Sequence, residues 1–144
     1  MYIRDGRAPI PKKEVTSRVM SAIRAKNTKP EIALRKALSS VGVKGYRLHP
    51  KNVIGKPDIC FIHSKIAIFV NGCYWHRCPY CKPSFPKSHL KFWKEKFERN
   101  KKRDNIKNRR LRLEGWRICT VWECQIKKNI ERVVFRVEKV LAGR

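Results

Sequence analysis

Three cysteines within nine residues, Cys73, Cys78 and Cys81, are joined far downstream by Cys124. Four thiolates can close a tetrahedral zinc site, and Pro79 and Pro83 stiffen the loop that carries three of them. Four intervening residues, then two, then a distant fourth cysteine also suit a plant-type iron–sulfur cluster. The basic surroundings favour zinc over iron. Cys60 and Cys119 sit inside apolar runs and read as core residues. Acids are scarce, so their placement is informative. Gly55-Lys56-Pro57-Asp58 sets an aspartate at the start of a strand-like run, where an acid can hold Mg²⁺ against a phosphate; Pro-Asp by itself more often marks a turn. His76, at the end of Asn71-Gly72-Cys73-Tyr74-Trp75-His76, can act as a general base near neutral pH. A histidine among aromatics and cysteines is more often a zinc ligand or a hydrogen-bonded structural residue. Tyr74-Trp75 and Phe92-Trp93 put rings among cations, where they stack on bases or wedge between them; core packing is the competing role.

These groups need a scaffold, and the hydrophobic pattern supplies one. The spacing predicts a short helix over residues 16 to 25, broken between Asn27 and Pro30. A second helix follows, with Thr28 as its cap, Pro30 in its first turn, Glu31 at the capping-box position and Gly42 as its stop. Asp58 to His63 and Lys65 to Asn71 read as a β-hairpin. The run Ile66 to Val70 is apolar on both faces, as a central strand requires. Ser88 to Glu114 reads as a long basic helix, Arg117 to Trp122 as a third strand, and Asn129 to Leu141 as an amphipathic helix. The pattern is α/β, a central mixed sheet flanked by helices. Adjacent strand ends would bring Cys124 to the corner of the other three cysteines.

Thirty-six Lys and Arg face eleven Asp and Glu among 144 residues, a formal net charge of +25. Such self-repulsion is offset by a polyanion, and counterion release makes that binding favourable and salt-sensitive. Nucleic acid is the leading partner. An anionic membrane surface ranks second, since no apolar run reaches spanning length. Residues 1–15 show no signal-peptide pattern and read as a basic N-terminal arm, with residues 16–144 as one domain. The cysteines are then expected in a reducing compartment, where a cluster binds metal more often than it forms disulfides.

Several motifs stand in register with one family. Thr16-Ser17-Arg18-Val19-Met20, Asn27-Thr28-Lys29-Pro30-Glu31, Gly55-Lys56-Pro57-Asp58-Ile59, Asn71-Gly72-Cys73-Tyr74-Trp75-His76, Phe92-Trp93, Gly115-Trp116-Arg117 and Val121-Trp122-Glu123-Cys124 follow one another as they do in the very short patch repair endonucleases. The chain resembles that family from about residue 14 to about residue 126. The resemblance implies a restriction-endonuclease-like fold of the PD-(D/E)XK type with a structural zinc. It implies a DNA mismatch endonuclease that nicks the thymine strand of T:G mismatches left by deaminated 5-methylcytosine. By resemblance Asp58 ligates Mg²⁺ with the main-chain carbonyl of Val70, His76 activates water, and Asp104 holds water at the metal. Asn71 stands where many members carry a histidine that also contacts such water, and Glu31 where the family keeps an acid. Cys73, Cys78, Cys81 and Cys124 fall on the zinc positions; Tyr74, Trp75 and Trp93 fall on the intercalating aromatics. The implied partner is double-stranded DNA with a T:G mismatch, met by a monomer in a prokaryotic cytoplasm at the nucleoid, with a polymerase and a ligase acting later.

Two departures stand out. The strand after the aspartate reads Phe69-Val70-Asn71, without the second acid and lysine of the usual nuclease pattern. Asn71 keeps hydrogen bonding but cannot gain a proton near neutral pH. The rival readings are a nicking or restriction nuclease that acts on paired DNA, and a non-catalytic zinc DNA-binding module.

Overall fold

Residues 27–143 are described in the computed structural model of the chain. The basic arm and the helix expected over residues 16 to 25 lie outside them.

Helix α1, Lys29–Ser40, starts where Thr28 Oγ1 accepts the Glu31 N–H at 3.4 Å and a proline occupies the first turn. It ends at Gly42, whose φ of +84° suits glycine; the N–H of Gly42 bonds to Ser39 O and that of Val43 to Leu38 O. The capping box differs from its usual form. Glu31 Oε2 accepts the N–H of Asn27 at 2.7 Å rather than that of the cap residue. The Glu31 side chain is buried, and its other oxygen, Oε1, lies 2.6 Å from His49 Nε2.

Among the described residues four strands form one sheet in chain order: β1 Arg47–Leu48, β2 Ile59–Phe61, β3 Ile66–Asn71 and β4 Arg117–Trp122. β1–β2 and β2–β3 are antiparallel, and β3–β4 is parallel. The predicted hairpin is present, turning through Lys65 at φ +53°. Central β3 is buried on both faces for a simple reason. Ile66 and Ile68 pack with Leu34, Leu38, Val133 and Val137 from the helices on one side. Ala67 and Phe69 pack with Val53, Cys60 and Leu111 on the other.

A one-turn helix, α2 Cys73–His76, follows β3, and α3 Leu90–Leu113 crosses over to β4. Parallel strands need such a crossover. The last helix, α4 Glu123–Gly143, begins earlier than its periodicity predicts. Asn129 is extended there (φ −159°, ψ 86°), and its Oδ1 accepts the Arg132 N–H at 3.1 Å. Asn129 therefore caps the amphipathic segment. The turn before it buries only Ile126, too little to show a helical repeat. No helix among the described residues is long and apolar enough to cross a membrane.

Candidate active site and metal centre

The cysteine corner follows from sheet register. Asn71 of β3 stands beside Trp122 of β4, and Cys73 and Cys124 each lie two residues further on. Cys124 N–H donates to Cys73 Sγ at 3.3 Å. The chain reverses at Arg77, φ +55°, and the Cys78 N–H bonds to Cys73 O at 2.9 Å. The sulfurs of Cys73, Cys78, Cys81 and Cys124 then lie within 4.8 Å of one another, with Cys78 and Cys124 3.7 Å apart. A disulfide needs about 2.0 Å. A tetrahedron of thiolates around one ion, with bonds of about 2.3 Å, has edges of about 3.8 Å. The set therefore fits a single tetrahedral metal ion. Burial pushes the Cys73 thiol up. Burial also opposes ionisation of Cys78, but hydrogen bonds from the backbone N–H groups of Cys81 and Tyr80 and from the Cys124 and Cys81 side chains together outweigh it and hold that thiol below its ordinary value. Cys60 and Cys119 are buried, as expected.

A second cluster forms where α1 meets the start of β2. Asp58 Oδ2 accepts the Val70 N–H at 2.7 Å, which fixes the carboxylate against central β3. Glu31 Oε1 and Asp58 Oδ1 lie 2.6 Å and 3.6 Å from His49 Nε2. The three ligand atoms fall within 4.8 Å of one another. Burial pushes the Asp58 carboxyl up to about 7; the Val70 N–H and His49 pull it down, and Glu31 pushes it up further.

The third group joins α2 to α3. His76 Nδ1 lies 2.8 Å from Asp104 Oδ2, and Lys107 Nζ lies 3.5 Å from Asp104 Oδ1. The Lys107 ammonium also sits 3.9 Å from the centroid of the Phe69 ring. Its stem covers Gly55, where a side chain would collide with it. Burial pushes the Asp104 carboxyl up, but the hydrogen bond and charge of His76, then Lys107, outweigh burial and hold it below its ordinary range. A lowered folded-state value contributes stability above the ordinary carboxylate range, and that stability is lost as pH falls through the folded value. Asp104→Asn is therefore expected to flatten the acid limb of the Tm–pH curve. An unchanged limb would show that this contact contributes nothing to the fold.

The aromatics make one cluster. Phe97, 2 % exposed, is its hub, with ring centroids of Tyr74 at 5.7 Å, Phe85 at 6.0 Å and Trp93 at 6.1 Å. Trp75 stands 6.2 Å from Trp93. The Arg77 guanidinium lies over Phe85 at 4.3 Å and Phe97 at 4.6 Å, and donates to the carbonyls of Pro83, Ser84 and Tyr74. It staples the cysteine loop to the rings. Tyr74 is exposed and Trp75 and Trp93 are half-buried, whereas Phe92 belongs to the interior.

The structure thus brings together the four cysteines, pairs His76 with Asp104, and sets Asp58 beside Glu31 and Val70. Asn71 ends β3 next to Trp122. Sequence reasoning missed His49, Lys107, Arg77, Phe85 and Phe97. Phe97 had a readable signal, one helical turn after Trp93; the others depend on tertiary contacts. A cavity of about 580 Å³ along α4, between Gln125 and Lys139, contains none of these groups.

The family model of the DNA mismatch endonuclease Vsr matches residues 9–82. The chain is 43% identical over 108 residues to the type II nicking enzyme V.XorIIP of Xanthomonas oryzae pv. oryzae, covering 75% of this chain and 79% of that protein. It is 41% identical over 123 residues to the type II nicking enzyme V.NaeI of Lentzea aerocolonigenes, covering 82% and 73%. It is 31% identical over 140 residues to the DNA mismatch endonuclease Vsr of Escherichia coli, covering 94% and 89%.

Proposed function

This chain belongs to the Vsr DNA mismatch endonuclease family, and from that premise we propose that it makes a Mg²⁺-dependent nick in the thymine strand of duplex DNA beside a T:G mismatch. It is a DNA endonuclease, and DNA is its partner. The observation that carries the finer reading is α2 itself. Tyr74, Trp75 and His76 stand on one four-residue turn, with the rings backed by Trp93 and Phe97 and the imidazole backed by Asp104. Prising a base step open and cleaving beside it are then performed by one rigid unit.

The donor chemistry fits the metals. Asp58 offers its Oδ1 while Val70 N–H occupies Oδ2, so the carboxylate and the Val70 main-chain carbonyl would hold Mg²⁺, with Glu31 close by. That ion would polarise the phosphate and stabilise charge on the leaving 3′-oxygen. His76 takes a proton from the attacking water, and Asp104 keeps the ring in one orientation through Nδ1. Asn71 offers an amide to water in the site and changes no charge there. Rings at Tyr74, Trp75 and Trp93 enter the duplex where a mismatch has weakened stacking, a saving drawn from an unstacking cost of about a few kcal/mol per step.

The sheet with helices on both faces supports a restriction-endonuclease-like fold. Residues 16–144 would form the nuclease domain, with residues 1–15 as a basic arm on the phosphates. A cytoplasmic monomer whose nick passes to a polymerase and a ligase completes the reading.

Zinc is the proposed occupant of the cysteine corner. Metal analysis is expected to find one zinc per chain, and Cys78→Ser to lower both zinc content and Tm; iron with a coloured spectrum would overturn this.

The relatives V.XorIIP and V.NaeI are named type II nicking enzymes, which supports nicking as such and keeps a second reading, a related nicking or restriction nuclease that acts on paired DNA. One assay separates the two: T:G and fully paired duplexes, each with Mg²⁺ or EDTA. Nicking is expected on the T:G duplex with Mg²⁺ only, and equal cutting of paired DNA would favour the second reading. Trp75→Ala is expected to reduce mismatch preference more than general affinity; equal losses would reduce Trp75 to packing.

A further inference from the structure

The cluster of Glu31, His49 and Asp58 contains one member that the proposed chemistry does not use. Its geometry points to His49 as a nitrogen ligand of the ion on Asp58, with Glu31 as the third side-chain ligand, so that this site prefers Mn²⁺ to Mg²⁺. We propose this as an extension of the reading that Asp58 binds the divalent ion, and it rests on that reading.

The argument begins with which atoms are already committed. Asp58 Oδ2 takes the Val70 N–H, and Glu31 Oε2 takes the N–H of Asn27 with Arg35 Nη1 3.5 Å away. Each carboxylate therefore has one oxygen tied to protein donors, and its other oxygen turns toward His49 Nε2. Glu31 is 1 % exposed, and His49 is largely covered. Two carboxylate oxygens and an imidazole nitrogen sharing one small volume make a donor set for a cation. The ligand atoms of an octahedral ion with bonds of about 2.1 Å lie about 3.0 Å apart at right angles. The observed 2.6 Å and 3.6 Å bracket that spacing. The three side chains and the Val70 carbonyl would leave two of six positions, one for the phosphate and one for water.

The nitrogen decides the metal. Mg²⁺ is hard, dehydrates reluctantly and takes oxygen ligands. Imidazole suits first-row transition ions, and carboxylates suit Mn²⁺ as well as Mg²⁺. Replacing one oxygen by His49 Nε2 therefore favours Mn²⁺. The cysteine corner does not compete, because soft thiolates select other ions.

The test uses the zinc-loaded full chain and Mn²⁺ alone. Binding is followed by the electron paramagnetic resonance of free Mn²⁺, with Mg²⁺ as competitor. Pulsed measurements on the bound ion report coupling to a ligated nitrogen. We expect a ¹⁴N coupling that is replaced by a ¹⁵N coupling when histidine is ¹⁵N-labelled. It should be lost in His49→Gln and kept in His76→Gln. His49→Gln should also weaken Mn²⁺ binding about ten- to a hundredfold and erase most of the preference over Mg²⁺. No histidine-nitrogen coupling in the unsubstituted protein, or loss in His76→Gln instead, overturns the proposal even if His49→Gln folds poorly. Asp58→Asn separates the two readings. If it abolishes Mn²⁺ binding while His49→Gln does not weaken it, only the His49 assignment falls. If Mn²⁺ binding survives Asp58→Asn, the Asp58 reading falls with it.

Discussion

Asp58→Asn is expected to cut nicking of a T:G duplex by about a thousandfold or more, because the charge stabilisation lost with the metal is worth several kcal/mol and each 1.4 kcal/mol is a factor of ten. Duplex binding should be unchanged or slightly tighter, since a net charge of +25 supplies the phosphate contacts. The amide replacement keeps an oxygen for the Val70 N–H, so that donor is not orphaned. Stability should not fall either. The Asp58 carboxyl is pushed up to about 7, chiefly by burial. A group that holds its proton more tightly folded than unfolded makes the metal-free protein less stable as pH rises from the ordinary carboxylate range toward that value. Asparagine has no charge to desolvate, so the variant should lose this slope and match or exceed the parent near neutrality. Nicking rates, a gel-shift titration and Tm against pH check the three parts. Retained nicking would remove Asp58 from the metal site.

The second large effect is on the proton transfer. His76→Ala is expected to slow single-turnover cleavage by about two to four orders of magnitude. Binding should survive, because the stacking rings belong to other residues of α2 and α3. Asp104→Asn should also slow the reaction, since an amide opposite Nδ1 no longer favours the tautomer that leaves Nε2 free to accept a proton. Combining the two changes should cost little more than His76→Ala by itself, as groups that act together do not contribute additively. A full additive loss would mean that Asp104 works on something other than the imidazole.

How much of this was legible in the sequence depended on the range of the interaction. The hairpin, β4 and α3 were readable because alternation and helical spacing are local signals. Gathering the cysteines required only that β3 and β4 end together. β1 was invisible, since two exposed edge residues show no alternation. His49 was lost with it. Its role depends on α1 and β2 converging from either side, and its backbone, at φ +47°, leaves the strand conformation at once. Lys107 was hidden among the many cations of α3, and only its contacts with Gly55, Phe69 and Asp104 set it apart. The early start of α4 was missed because Asn129 announces a helix that is already under way.

The meeting of Cys73 with Cys124, 51 positions apart, has a consequence in polymer terms. Everything between them, α3 included, becomes a closed ring once one ion holds both ends. Closing a loop of that length removes freedom from the unfolded chain worth about 4 kcal/mol, if the ion tethers the chain as a covalent link would. The ring encloses a long helix dense with cations and with only three buried residues, Phe92, Phe97 and Leu111. That helix gains little from its own packing and repels itself along its length. Much of its persistence in the absence of DNA would thus be entropic in origin, supplied by a clasp at the ends of β3 and β4 and not by the helix's own packing.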